Sequence, residues 1–224
     1  LWREGAWQTF LLRDGGREAA CRSLCRGSHT LCVAITHPEQ NANGLEASGM
    51  DVLRILPWGM QSAFAKTRPG YDAETALFNA AAVLGEKLTA CRLRQIADVV
   101  HYLDEQNGYE RVVFFVSCAG ALLALLAVAL LPKARGAALL ETQLSFDALF
   151  EADYYFAPET AFETGLLRLC DLPDLAKLAG RVCAFTPKNP AGGSLAPHTP
   201  TPIPARWEKD ALSAAAEWLE DKLC

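Results

Sequence analysis

Val112-Val113-Phe114-Phe115-Val116-Ser117-Cys118-Ala119-Gly120, continued by Ala121–Leu131, is a run of twenty residues without a charge, and its reading decides the fold. Twenty apolar residues are enough to cross a bilayer as one helix. The composition changes along the run, however. Val112–Val116 is β-branched and aromatic and favours a strand, Ser117–Gly120 is small and suits a tight turn, and the Ala/Leu-rich remainder favours a helix. The run therefore predicts strand, turn and helix rather than a membrane span. A strand so short and so apolar is buried on both faces and belongs at the centre of a parallel sheet.

Working towards the C-terminus, Pro132 ends the helix, Gly136–Glu141 reads as the next strand and Leu144–Glu151 resumes a helical pattern. Leu172–Leu178 predicts a short helix and Val182–Thr186 a last buried strand. Six prolines between Pro187 and Pro204 forbid regular structure, and Trp207–Leu223 reads as an amphipathic helix with Leu212, Ala215, Ala216, Leu219 and Leu223 inward. Towards the N-terminus, Gln8–Leu12 predicts a strand ending in Asp14-Gly15-Gly16, Arg17–Arg26 a helix and Thr30–Thr36 a strand, which together imply a parallel crossover. The stretch from His37 to Tyr71 is rich in Pro, Gly and Asn and reads as a long loop or cap-like insertion. From Asp72 to Asn107 the pattern is helical, with Gly85 as a break. The sum is a doubly wound, mostly parallel α/β sheet in a single domain of 224 residues, with a cap-like insertion at about 37–71.

Composition narrows the function. The chain is 51% hydrophobic and 21% charged, as ordinary globular domains are. A net charge of −5 and the lack of any long Lys/Arg run argue against nucleic acid as a partner. Eight cysteines occur without a CxxC pair or a Cys/His cluster, so no metal is expected, and their place in apolar runs points to a reducing, cytoplasmic compartment. No basic, apolar, small-residue leader precedes the domain, and an opening at Leu1 without methionine fits a processed chain or a fragment. No phosphate loop or dinucleotide fingerprint is present, so no cofactor is expected.

Val116-Ser117-Cys118-Ala119-Gly120 has the layout of a nucleophile elbow, G-x-Ser-x-G, in which the attacking residue sits on a sharp turn and the following helix N-terminus stabilises negative charge. Cys118 takes the nucleophile position and Gly120 the last glycine. Val116 replaces the first glycine, so the elbow is degenerate.

Here the chain resembles the α/β-hydrolases, and within them the acetylxylan-esterase-like bacterial members. The resemblance rests on Leu12-Arg13-Asp14-Gly15-Gly16 as the loop after the third strand, Pro57-Trp58-Gly59 in the long loop and Leu88–Leu103 as the helix before the elbow. It rests also on the elbow itself, and on Gly165-Leu166-Leu167-Arg168 followed by Asp171-Leu172-Pro173-Asp174-Leu175 before the seventh strand. It implies an oxyanion hole made by the N–H groups of Ala119 and Gly15. A cysteine nucleophile has its parallel in the dienelactone-hydrolase branch of the superfamily. Pro187-Lys188-Asn189-Pro190 offers no carboxylate after the seventh strand, which leaves Glu141, at the end of the sixth, as the acid. His198, the sole histidine between the last buried strand and the C-terminal helix, would be the base, on a loop where the eighth strand is expected to be missing. Whether the sheet's first strands lie within the chain or before Leu1 stays open at this point. His29, His37 and His101 receive no role. Two functions stay open: a carboxylic-ester hydrolase of the acetyl or carbohydrate-ester class acting on a small-molecule or carbohydrate ester, and a non-catalytic relative that serves as a binding or structural module.

Overall fold

The computed structural model describes residues 2–4, 6–14, 17–36, 43–60, 66–68, 71–117, 120–153, 161–197 and 199–223. The chain opens with three antiparallel strands, β1 (Trp2–Glu4), β2 (Trp7–Asp14) and β3 (Arg17–Leu24). The helix expected at Arg17–Arg26 is thus a strand. In β3 the buried Ala19, Cys21 and Ser23 alternate with more exposed neighbours, and this period of two outweighs the helix propensity of Arg, Glu and Ala. Asp14 pairs with Arg17 across a hairpin, so the predicted parallel crossover is corrected as well.

Next come β4 (Thr30–Ile35), α1 (Asn43–Glu46) and β5 (Asp51–Leu56), with β4 and β5 parallel. The stretch read as a cap-like loop therefore contributes a strand to the sheet. Val52, Leu53 and Ile55 carried the signal, but the Gly, Pro and Asn on either side outweighed it in the sequence reading. A small ribbon, β6 (Lys66–Arg68) with β7 (Tyr71–Asp72), leads into α2 (Ala73–Val83) and α3 (Leu88–Asn107). Gly85 separates the two helices with φ +73°, a conformation glycine adopts without strain.

The deciding run folds as β8 (Arg111–Ser117) and α4 (Ala121–Leu130). Among the described residues no helix is long and apolar enough to cross a membrane. The chain continues through β9 (Ala134–Leu140), α5 (Leu172–Ala179), β10 (Arg181–Phe185), β11 (Ala205–Arg206) and α6 (Ala211–Leu223).

The main sheet has the order β1-β2-β3-β5-β4-β8-β9-β10-β11, parallel from β5 onward. The four strands read most firmly from sequence, β4, β8, β9 and β10, are adjacent and parallel, as the crossover rule requires. This is an α/β-hydrolase-like fold. The antiparallel first strands lie within the chain, and a two-residue last strand, β11, stands where the eighth strand had been expected to be missing. Phe114, Val116, Leu122, Leu125 and Leu175 pack on one face of the sheet, which α3, α4 and α5 cover. Leu45, Phe115, Ala215 and Leu219 pack on the other, under α1 and α6.

Candidate active site

The connections fix where a ligand meets this sheet. From β4 the chain leaves over the α1 face towards β5, whereas from β8 it leaves over the α4 face towards β9. Neighbouring strands whose connections depart to opposite faces open a crevice at their carboxyl ends, the topological switch point at which open α/β sheets bind ligands. Here it lies at the ends of β4 and β8, where Ile35 is paired with Val116.

β8 ends at Ser117 beside that crevice, and α4 starts from Gly120 three residues further on. Gly120 caps α4, and a Cβ there would lie 3.2 Å from Val116 Cβ and 3.4 Å from the Ile35 carbonyl oxygen. The valine that departs from the elbow pattern is thus accommodated because position 120 is glycine. Cys118 and Ala119, the intervening residues, lie outside the described residues, as do Gly15 and His198. Asp14 pairs with Arg17, so the segment taken as the loop after the third strand joins the antiparallel strands β2 and β3 rather than following a parallel strand. The segment that follows β4 begins instead at Thr36, itself buried.

Strand ends beside the crevice carry backbone strain. Glu141, just after β9, has φ 51°, and Thr186, just after β10, has φ 46°. Left-handed conformations cost an L-residue roughly 1–2 kcal/mol and gather at functional sites. The Glu141 N–H donates to the Phe185 carbonyl at 2.9 Å, and its carboxylate lies 3.4 Å from Lys188 Nζ. That lysine also donates to Ser194 Oγ at 3.2 Å, tying the proline-rich segment to the sheet. Glu141 is therefore a strand-end carboxylate with a cationic partner.

β11 alters the reading of His198. Because β11 spans Ala205–Arg206, the interval between the last strand and α6 is 207–210, which holds no histidine. His198 precedes the last strand. The segment leading to it is anchored at the carboxyl edge, where Leu195 N–H donates to the Pro187 carbonyl at 2.9 Å and Trp207 Nε1 donates to the Leu195 carbonyl at 2.9 Å. His29 and His101 are exposed and face Glu110 and Glu105, away from the crevice.

Two residues on α3 escaped the sequence reading. Arg92 and Gln95 are buried on the core face of the helix. Arg92 Nε donates to the Trp58 carbonyl at 2.9 Å, and Gln95 Oε1 accepts from the Trp58 N–H at 2.8 Å. Together they lock the Pro57-Trp58-Gly59 turn after β5, over which the Arg17 guanidinium stacks 5.2 Å from the Trp58 ring. Their signal was polar residues three apart interrupting an apolar stripe.

No protein-family model and no curated protein matches the sequence. Solved structures do. A cold-adapted esterase from an Arctic intertidal metagenomic library, in its zinc-bound form, aligns over 100% of this chain and 97% of its own with TM-score 0.62 and 14% identity. Est1E from Butyrivibrio proteoclasticus, solved with ferulic acid, aligns over 96% and 97% with TM-score 0.58 and 10% identity. A proline iminopeptidase-related protein from Thermus thermophilus aligns over 96% and 92% with TM-score 0.50 and 14% identity. Looser matches are to longer proteins of which the chain spans about half. At such identities the likeness is one of fold.

Proposed function

We propose that the protein is a carboxylic-ester hydrolase with Cys118 as nucleophile. The observation that supports this reading is that β8 ends and α4 begins within a few residues of each other at the topological switch point, where a Cβ at Gly120 would crowd Val116 and the Ile35 carbonyl. An imidazole, His198, takes the thiol proton, and the thiolate attacks the ester carbonyl carbon. The Ala119 N–H and an N–H from the segment after β4 stabilise the oxyanion. The C–O bond then breaks, the imidazolium returns its proton to the leaving alcohol, and water hydrolyses the thioester to release the acid. Glu141 orients the imidazole. The substrate is a small-molecule or carbohydrate ester, of which the acetyl class is the simplest.

Trapping is the test. Brief exposure to p-nitrophenyl acetate, followed by peptide mapping, is expected to find an acetyl group on Cys118, with less in His198→Ala. His37, two residues beyond Ile35 in the chain, supplies the control variant His37→Ala.

A second reading, a non-catalytic binding or structural module, is favoured by the pairing of Glu141 with Lys188 and by the histidine-free interval after β11. No adduct on Cys118, together with iodoacetamide alkylation at an ordinary thiol pKa of about 8.5, selects that reading.

A further inference from the structure

α3 leads into the amino end of β8, so its first turn stands at the carboxyl end of the sheet, where the switch point lies. Beside that turn is a cavity of about 260 Å³ between the α2–α3 junction and residues 163–164. Phe78, Ala82 and Leu88 line it with hydrocarbon, and a Cβ added at Gly85 on its wall would meet nothing within 4 Å. Val83 and Leu84, next to the lining, are 87% and 76% exposed, an aliphatic rim in contact with water.

The charges at this cavity cancel in pairs. Glu86 accepts from Arg17 Nη2 at 2.6 Å, and Lys87 Nζ lies 2.9 Å from Glu163. Lys87 further donates to the Thr164 carbonyl at 3.2 Å, bridging the two walls. A charged ligand therefore meets an already paired partner at each of these four groups and gains no free counter-charge from them. An uncharged group leaves both intact. Size sets the second limit: a cavity of about 150 Å³ holds benzene, and drug-sized ligands occupy roughly 300–1,000 Å³. The volume here lies between them.

We propose that this cavity is the subsite for an uncharged, ring-sized hydrocarbon portion of the ester, closed on one side by the Lys87–Glu163 pair. The substrate class rests on the hydrolase reading, whereas the binding does not. Esters with one aromatic ring or a short branched chain are then preferred over acetate esters of small alcohols, and esters bearing a charge on that portion are disfavoured.

The experiment is fluorine NMR of the whole protein with methyl para-fluorobenzoate, a neutral aryl ester, and with para-fluorobenzoate, its anion. Ala82 and Thr164 are exposed residues on opposite walls, so Ala82→Trp and Thr164→Trp fill the cavity without touching the core. The neutral probe is expected to bind the wild type and to bind each filled variant about tenfold more weakly or worse, with the anion binding neither. Binding to the wild type that both filled variants retain overturns the proposal, and so does absence of binding or equal binding of the anion. Cavity-dependent binding without turnover of any ester upholds the subsite and rejects the hydrolase reading. Turnover with cavity-independent binding does the reverse.

Discussion

Thr186 combines two costs. It is β-branched at φ 46°, and among the described residues its hydroxyl is buried without a hydrogen-bond partner. Thr186→Gly removes both and adds only the extra backbone entropy of glycine, so a gain of roughly 1 kcal/mol is expected in urea unfolding. A loss would show that the left-handed strand end is not strained. The change from strand to helix between Ser117 and Ala121 was legible at this scale because small residues in Ser117–Gly120 separate a β-branched run from an Ala/Leu-rich one. Glu141 was legible as a carboxylate, but its pairing with Lys188 was not, since it depends on how the segment after β10 folds back. Arg92 and Gln95 were invisible in their role because a polar residue on a helix reads as solvated until its neighbours are known.

At the scale of elements, the central parallel strands could be read because uninterrupted apolar runs have one common fate, burial on both faces. β3 could not. Its Arg, Glu and Ala are good helix formers, and only pairing with β2 and β5 makes the alternation decisive. β5 was hidden among turn formers, and β11 is too short to leave a periodicity. One packing rule inside the sheet is directly testable. Gly136 in β9 faces β10, and a Cβ there would fall 2.1 Å from the Arg181 carbonyl oxygen, a backbone atom that cannot turn aside. Gly136→Ala is expected to cost about 3 kcal/mol or to prevent folding. An alanine variant within about 0.5 kcal/mol of wild type would show that β9 and β10 are not packed in this register.

The whole molecule keeps titratable groups in its core, and they set its alkaline limit. Burial pushes the Cys21 thiol up to about 12 and the Cys183 thiol up to about 11. Burial, with Cys25 alongside, raises Tyr109 as well. An unfolded thiol ionises near pH 8.5 or so, while these stay protonated in the fold, so the folded state holds more protons. Their contribution is complete below that pH and is lost as pH rises towards the folded values. Each buried thiol should lower stability by about 1.4 kcal/mol per pH unit in that window. Urea midpoints from about pH 8.5 to 10.5 are expected to fall less steeply for a Cys21→Ala, Cys183→Ala double variant than for wild type. Equal slopes would mean that the thiols reach water.

The hydrolase proposal rests on the order of strands and the switch point between β4 and β8, and turnover tests it most directly. Steady-state hydrolysis of p-nitrophenyl acetate is measured for wild type and Cys118→Ala at matched thermal stability. The account predicts turnover above the buffer background that falls by about two orders of magnitude or more in the variant, as loss of a nucleophile does. Equal rates in the two proteins, or none above background in either, would contradict it.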